Sequence, residues 1–154
     1  MKFNSALKNF VLVLFSTLLI SACSTAKKAS VDTVDDVYTG TDTVEYLANG
    51  VPDRVFFATN KSSLTTRSRD TLRKQATYLR KNKDLTVTIE GHADERGTRE
   101  YNLALGERRA NAAKDYLMTY GVSGKRISVI SYGKEKPVNP ASSPLAWSQN
   151  RRSV

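Results

Sequence analysis

The chain has 154 residues, of which 40% are hydrophobic and 25% charged, and its formal net charge is +9. A single cysteine excludes an internal disulfide. After the N-terminal region, the chain is long enough for one domain with one hydrophobic core. Its positive net charge favours an anionic partner.

The N-terminus has the pattern of a secretory signal. Lys2 and Lys8 flank an apolar run over residues 10–20. That run has roughly 11 residues, which is too few to span a bilayer as a helix. We therefore predict that residues 1–22 are a signal peptide.

The only cysteine follows this signal directly. Residues 20–23 read Ile-Ser-Ala-Cys and resemble a bacterial lipobox, which implies that Cys23 is acylated and anchors the chain to a membrane without spanning it. The next residue is Ser24 and not aspartate, which by the same resemblance implies the periplasmic face of the outer membrane. An ordinary signal peptide with a chance cysteine is the alternative.

The segment behind the cysteine differs in charge from the rest of the chain. Residues 23–50 carry two Lys against five Asp and Glu, a net −3, whereas residues 51–154 carry 20 Lys and Arg against 10 Asp and Glu, a net +10. The first segment shows no helical or strand period. We predict that residues 23–50 are the acylated cysteine and a flexible tether with a root-mean-square span of about 29 Å, and that residues 51–154 are the globular domain.

Strands and helices alternate along this domain. The pattern predicts strands at residues 55–57, 85–90 and 127–132. It also predicts a first helix that is capped by Thr65 or Thr66 and has Leu72, Ala76 and Leu79 on its apolar face. A second helix is predicted over residues 101–120, where Gly121 ends it, and a short helix around Trp147. This order predicts an α/β fold, an α+β sandwich in which two main helices pack on one face of a mixed β-sheet.

Two adjacent arginines of the second helix differ in position. On a helical wheel of about 100° per residue, Arg109 lies at the edge of the apolar stripe, on the same side as Asn102 and Leu105. Arg108 points away from this stripe. We therefore expect Arg109 to contact the packed face and Arg108 to be solvated.

The loop before this helix carries an acid that can meet Arg109. Asp94 lies between Gly91 and Gly97, just after a predicted strand. If the loop folds back over the helix start, Asp94 and Arg109 border one pocket. The pair is then either a structural salt bridge or a receptor for a zwitterion, with Asp94 taking an ammonium and Arg109 a carboxylate.

Three segments carry a family resemblance. Residues 90–98 read Glu-Gly-His-Ala-Asp-Glu-Arg-Gly-Thr, followed by Tyr101-Asn102 and by Arg108-Arg109-Ala110, and residues 130–137 read Ile-Ser-Tyr-Gly-Lys-Glu-Lys-Pro. From about Val55 to the last residue, the chain resembles the OmpA-like peptidoglycan-binding domain.

The resemblance implies a ligand and partners. The implied ligand is the diaminopimelate side chain of the peptidoglycan stem peptide, with its ammonium on Asp94, its carboxylate on Arg109, and Asn102, Leu105 and Arg96 lining the pocket. It also implies a TolB-like periplasmic propeller of the Tol system as a protein partner, and neither cofactor nor enzymatic activity. A protein-binding periplasmic adaptor with little wall binding of its own is the alternative.

The sequence departs from relatives at two places. Asn60 stands where many relatives have an acid that approaches the ligand, so this residue can contribute hydrogen bonds but no charge. The final strand of relatives follows the Asn150-Arg151-Arg152 motif, and here we expect it to be truncated, which would leave its pairing partners exposed.

Other chemistries have weaker support. Glu90, His92 and Asp94 alternate like ligands on one strand face, but a lone histidine makes a zinc site improbable, and His92 is expected to be a polar group satisfied within the loop. Ser128 and Ser131 lack the surroundings of a hydrolase nucleophile. The basic domain could attract nucleic acid, but a secreted chain without interleaved aromatic residues argues against that partner.

Overall fold

The computed structural model of the protein describes residues 31–32 and 36–154. Its strands are β1 (Val31–Asp32), β2 (Val37–Tyr38), β3 (Tyr46–Ala48), β4 (Val51–Pro52), β5 (Val55–Phe56), β6 (Val87–His92), β7 (Ile127–Gly133) and β8 (Arg152–Ser153). Its helices are α1 (Thr66–Lys81), α2 (Arg99–Thr119) and α3 (Pro144–Asn150), with a 3-10 turn at Gly124–Arg126.

The main sheet has four strands in the order β5-β8-β6-β7. β6 and β7 run parallel, whereas β8 is antiparallel to both β5 and β6. A parallel pair needs a crossover connection, and α2 supplies it between β6 and β7. The predicted mixed sheet and the α+β sandwich class are confirmed.

Both main helices pack on one face of this sheet, as predicted. The core joins Leu72, Ala76 and Leu79 of α1, Ala110, Ala113 and Leu117 of α2, and Val55, Ile89 and Ile127 of the strands. The helices begin at hydroxyl caps, because Thr65 accepts a hydrogen bond from the Ser68 N–H at 3.1 Å and Thr98 one from the Tyr101 N–H at 3.2 Å. The cap at Thr98 starts α2 two residues earlier than predicted.

Two glycines let β6 and α2 touch at the backbone. A Cβ atom on Gly91 would lie 1.8 Å from the carbonyl oxygen of Gly106, which no side chain can tolerate. The contact sets how close the end of β6 lies to α2, and both elements carry predicted site residues.

Residues 36–50 differ from the predicted flexible tether. Val37 and Tyr38 are buried and pack against Phe56, with the Tyr38 and Phe56 ring centroids 4.8 Å apart. A buried pair is too short to produce a periodic pattern, which is why the sequence does not reveal it. Residues 23–30 and 33–35 of the predicted tether, the signal peptide and Cys23 lie outside the described residues, so the domain boundary stays a prediction.

Strand β8, predicted to appear truncated, has two residues and lies inside the sheet. Val154 extends the pairing, because its N–H donates to the Glu90 carbonyl at 3.0 Å and its carbonyl accepts from the Glu90 N–H at 2.8 Å. A cavity of about 350 Å³ lies beside Val154, and Leu47, Leu79, Val87, Ile89 and Leu117 are among its lining residues. Whether the final strand is truncated stays a prediction.

No helix within residues 36–154 is long and apolar enough to cross a bilayer.

Candidate functional site

The carboxylate of Asp94 lies just after β6, between two guanidinium groups. Arg96 Nη2 is 2.7 Å from Asp94 Oδ2 and Arg96 Nε is 3.0 Å from Asp94 Oδ1. Arg151 Nη1 lies 3.3 Å from the same Oδ2. Burial acts to raise the pKa of Asp94, but hydrogen bonds and attraction from Arg96, with a further bond from Arg151, lower it overall. Asp94 is therefore an anion at neutral pH.

Arg109 is completely buried and bonds to the backbone. Its guanidinium donates to the carbonyls of Lys61 at 2.9 Å, His92 at 2.8 Å and Ala58 at 3.1 Å. These bonds tie the turn at residues 58–61 to the end of β6. Burial lowers the pKa of Arg109 to about 9, with repulsion from Arg151 acting in the same direction and Asp94 opposing it. The group is still a cation at neutral pH.

The wheel assignment of the two arginines is confirmed. Arg109 is 0% exposed, whereas Arg108 is exposed. The direct salt bridge that one interpretation expected between Asp94 and Arg109 is wrong for the described residues, since Asp94 pairs with Arg96 and Arg151 and Arg109 bonds to carbonyls.

The zwitterion interpretation is constrained by this burial. A guanidinium has five N–H groups, and three of those on Arg109 bond to carbonyls. Among the described residues, the other two N–H groups of Arg109 have no acceptor, so they are available to a ligand carboxylate. A ligand can reach them only after neighbouring groups move, because Arg109 has no exposed surface.

The other predicted site residues occupy different positions. Asn102 is buried and its side-chain N–H donates to the Arg96 carbonyl at 2.9 Å, so it fixes the loop. Leu105 is buried in α2. Arg96 is half-exposed and its guanidinium lies 4.3 Å from the centre of the Trp147 ring. Asn60 is exposed in the turn that Arg109 holds, with a φ of 56° that asparagine tolerates well.

Sequence reasoning missed two charged residues of the site. Arg151 is 1% exposed and its Nη2 lies 2.8 Å from Asp36 Oδ1, so it connects Asp36 to Asp94. Asp36 also accepts a hydrogen bond from the Thr59 hydroxyl. The Asn150-Arg151-Arg152 motif signals a role for Arg151, but the contact with Asp36 crosses 115 positions and has no local signal.

His92 corrects another expectation. It ends β6 and is 1% exposed, and among the described residues neither ring nitrogen makes a hydrogen bond, although Nε2 lies 3.4 Å from Glu90 Oε2. Its ring stacks on Tyr132, with centroids 5.6 Å apart. The expectation of a polar group satisfied within the loop is therefore wrong: β6 continues through residue 92 and carries the ring into the sheet.

The imidazole is held neutral. Burial is the main cause, and repulsion from the nearby cations Arg152, Lys136 and Arg54 acts in the same direction, so that the pKa of His92 is lowered to about 3. No group of three or more His, Cys, Asp and Glu residues suited to a metal ion occurs within residues 36–154.

The comparisons with known proteins agree with this architecture. The model of the OmpA family matches residues 56–151. The peptidoglycan-associated lipoprotein of Rhizobium meliloti (strain 1021) is 57% identical over 104 residues, 68% of this chain and 59% of that protein. That of Brucella melitensis biotype 1 is 42% identical over 149 residues, 93% of this chain and 88% of that protein.

A solved structure is similar as well. The crystal structure of the peptidoglycan-associated lipoprotein from Burkholderia pseudomallei has a TM-score of 0.63 and 39% identity, covering 65% of this chain and 85% of that one. The match to the Rhizobium relative spans 59% of that protein's length. This chain belongs to the OmpA family.

Proposed function

We propose that the chain is an outer-membrane lipoprotein that holds peptidoglycan non-covalently, as part of the Tol-Pal system that maintains envelope integrity and supports cell division. Acylated Cys23 is the membrane anchor, on the periplasmic face, and the domain is the wall-binding part. Relatives at 57% and 42% identity that carry the name peptidoglycan-associated lipoprotein support this proposal.

The observation that carries the proposal is the charged cluster at the end of β6. Asp94 offers a buried carboxylate, Arg109 binds the His92 carbonyl two residues before it, and Arg96 is the exposed cation. In the proposal, the ammonium of diaminopimelate binds Asp94 and its carboxylate faces Arg109. Asn102, Leu105, Arg96 and Asn60 complete the surroundings.

Ligand binding then requires a local rearrangement. Arg96 contacts both oxygens of Asp94, so an ammonium can reach this carboxylate only when Arg96 swings away. Arg96 is half-exposed, and besides Asp94 its guanidinium contacts the ring of Trp147 at the surface. The movement of one exposed side chain is a small cost compared with refolding the loop.

The proposal includes a protein partner and no catalysis. A TolB-like periplasmic propeller is the proposed partner, and it competes with the wall for the same part of the domain. Ser131, one serine considered as a nucleophile, donates its hydroxyl to the Leu103 carbonyl at 2.7 Å. That bond supports a structural role for Ser131.

One observation favours a second candidate function. Arg109 is fully buried and bonded to three carbonyls, as expected of a residue that only stabilises the domain. In that case the chain is a periplasmic adaptor that binds a TolB-like protein and has little affinity for the wall.

Binding to purified sacculi tests the proposal. Asp94→Ala should abolish co-sedimentation with diaminopimelate-type sacculi, whereas Arg108→Ala, on the solvated side of the same helix, should leave it unchanged. Wild-type protein should bind weakly to sacculi in which lysine replaces diaminopimelate, because lysine lacks the carboxylate that faces Arg109. Equal binding to both wall types, or equal loss in both variants, would overturn the proposed site. Retained binding to a TolB-like partner without wall binding would favour the adaptor.

A further inference from the structure

Helix α1 has a basic face that neither the core nor the candidate site uses. Opposite its buried side it exposes Arg67, Arg69, Arg73, Lys74, Arg80 and Lys81, with Asp70 as the acid among them. We call these six residues the basic face. Helix α2 differs, because its solvated positions balance Arg99, Arg108 and Lys114 against Glu100, Glu107 and Asp115. The excess positive charge of the two main helices therefore lies on α1.

Most charges of the basic face have no partner within the domain. Arg73 pairs with Asp70, and Arg67 donates to the Thr39 carbonyl at 3.0 Å. The remaining four, Arg69, Lys74, Arg80 and Lys81, are exposed, and no hydrogen bond or ion pair reaches their side chains from the described residues. Their charges are free to interact with a partner.

A groove with apolar walls lies along one side of the basic face. It separates α1 from the β3–β4 hairpin, has a volume of about 760 Å³, and is lined by Ala48, Val51 and Tyr78 together with Arg73, Lys74 and Lys81. On the same hairpin, Tyr46 is 56% exposed and Leu47 is 45% exposed. Large apolar groups thus stand in solvent next to the cations.

The opposite side is also bordered by an aromatic residue. Tyr120, which follows α2, is more than one-third exposed. Its hydroxyl lies beside Arg73. The pKa of Arg73 is raised chiefly by Asp70 and further by a hydrogen bond with Tyr120. Cations flanked by tyrosine and leucine are the composition of surfaces that enter the headgroup layer of a bilayer.

We propose that the basic face, with Tyr46, Leu47 and Tyr120 at its borders, is a docking surface for an anionic phospholipid membrane. The cations contact lipid phosphates, and the flanking side chains enter the headgroup layer. A soluble polyanion would use the cations alone, whereas a membrane also explains the exposed apolar groups.

The place where the N-terminal segment joins the domain supports a membrane as the partner of the basic face. This argument rests on the proposed lipid anchor at Cys23. The Arg67–Thr39 bond places the N-terminal segment beside the start of α1. Because β1 pairs with β2, which packs on Phe56, Val31 already lies on the domain, and the eight residue steps from Cys23 to Val31 reach at most about 28 Å. A domain held so close to a bilayer meets it at high effective concentration.

Vesicle co-sedimentation of the complete chain tests the proposal. All proteins carry Cys23→Ser, so that acyl chains make no contribution and failure of the lipid anchor does not affect the result. The reporter variant is Lys74→Glu with Lys81→Glu, and the control is Arg108→Glu with Lys114→Glu, which changes net charge equally on α2. Vesicles contain phosphatidylcholine with or without phosphatidylglycerol. A third variant, Tyr46→Ser with Leu47→Ser, changes no charge.

The expected result is binding that needs phosphatidylglycerol. Each cation near an anionic surface changes affinity roughly fivefold, so the reporter should lose roughly 30-fold or more and the control less than about threefold. The third variant should weaken binding to vesicles but not to single-stranded DNA. Equal losses in reporter and control, binding independent of lipid charge, or an unchanged third variant would overturn the proposal. Binding of the reporter to sacculi separates the two proposals, since it should equal that of wild type.

Discussion

Arg151 Nη1 lies 3.3 Å from Asp94 Oδ2, which joins the end of α3 to the loop after β6. The same buried guanidinium donates from Nε to the Phe57 carbonyl at 3.0 Å and pairs with Asp36 at 2.8 Å. One cation thus links the N-terminal segment, the first strand of the main sheet and the candidate site. It holds the carboxylate proposed to meet the ligand.

Removing this cation should destabilise the domain. In Arg151→Leu, Asp94 keeps Arg96 but loses its buried partner, and we expect a loss of about 2–4 kcal/mol in the free energy of unfolding. Urea denaturation of this variant and of Arg108→Leu measures the effect, and the control should stay within about 0.5 kcal/mol of wild type. Similar stability in all three proteins would show that the Arg151 contacts contribute little.

The contribution of Arg109 to the stability of the domain should depend on the shape of its guanidinium group and not only on its charge. Arg109→Lys keeps the cation, but one ammonium cannot serve three carbonyls that lie in different directions, so we expect a loss of about 2–4 kcal/mol. Arg108→Lys, on the exposed side of the helix, should change stability by less than about 0.5 kcal/mol. A lysine at position 109 with wild-type stability would contradict the three-carbonyl arrangement as a source of stability.

Acid should destabilise the protein through His92. The folded ring has a pKa of about 3, whereas an unfolded histidine titrates near 6.5. Below pH 6.5 the unfolded chain therefore binds a proton that the folded protein does not, and the free energy of unfolding falls as pH decreases, by at most about 1.4 kcal/mol per pH unit. Thermal or urea unfolding between pH 6.5 and 4.5 measures the slope.

The matched variant for this test is His92→Phe. It keeps a flat ring against Tyr132 but cannot titrate, so its stability should depend less on pH in the same window. Asp94 contributes little there, because its unfolded pKa of about 3.8 and its lowered folded pKa both lie below this window. A variant with the slope of wild type would assign the acid sensitivity to other groups.

The close contact of β6 and α2 should be intolerant of a single methyl group. Gly91→Ala places a Cβ 1.8 Å from the Gly106 carbonyl oxygen, so strand and helix must separate, and we expect a loss of at least about 3 kcal/mol. Gly50→Ala is the control: its φ is +74° but nothing lies within 4 Å, so only backbone strain of about 1 kcal/mol applies. Comparable melting temperatures for both variants would contradict the role given to the backbone contact.

The parts of the fold that follow from periodic patterns were predictable from the sequence. Leu72, Ala76 and Leu79 repeat at helical spacing, and Thr65 caps that helix as expected. The alternation around Val87 and Ile89 gives β6, although the strand starts after Leu85, which is 42% exposed. Burial of Arg109 beside a solvated Arg108 follows from helical geometry alone.

Other parts of the site depend on contacts between distant segments. The Arg151–Asp36 pair and the packing of Tyr38 on Phe56 leave no periodic pattern in the sequence. The orphaned ring nitrogens of His92 depend on which neighbours the sheet brings to it, and a local pattern cannot show them. Tertiary contacts decide these features, so local reasoning missed the packing of Val37 and Tyr38 and reached the wrong result for His92.

The packing of residues 36–38 onto the domain determines where mechanical load enters the protein. If the proposed membrane anchor and the proposed wall contact are pulled apart, tension along the chain reaches β1, which pairs with β2, and then Asp36. Arg151 connects Asp36 directly to Asp94 and to β5, so the pull is transmitted to the proposed wall contact over a few bonds. Helices α1 and α2 lie outside this path of Asp36, Arg151 and Asp94, so the load reaches the proposed wall contact without passing through them.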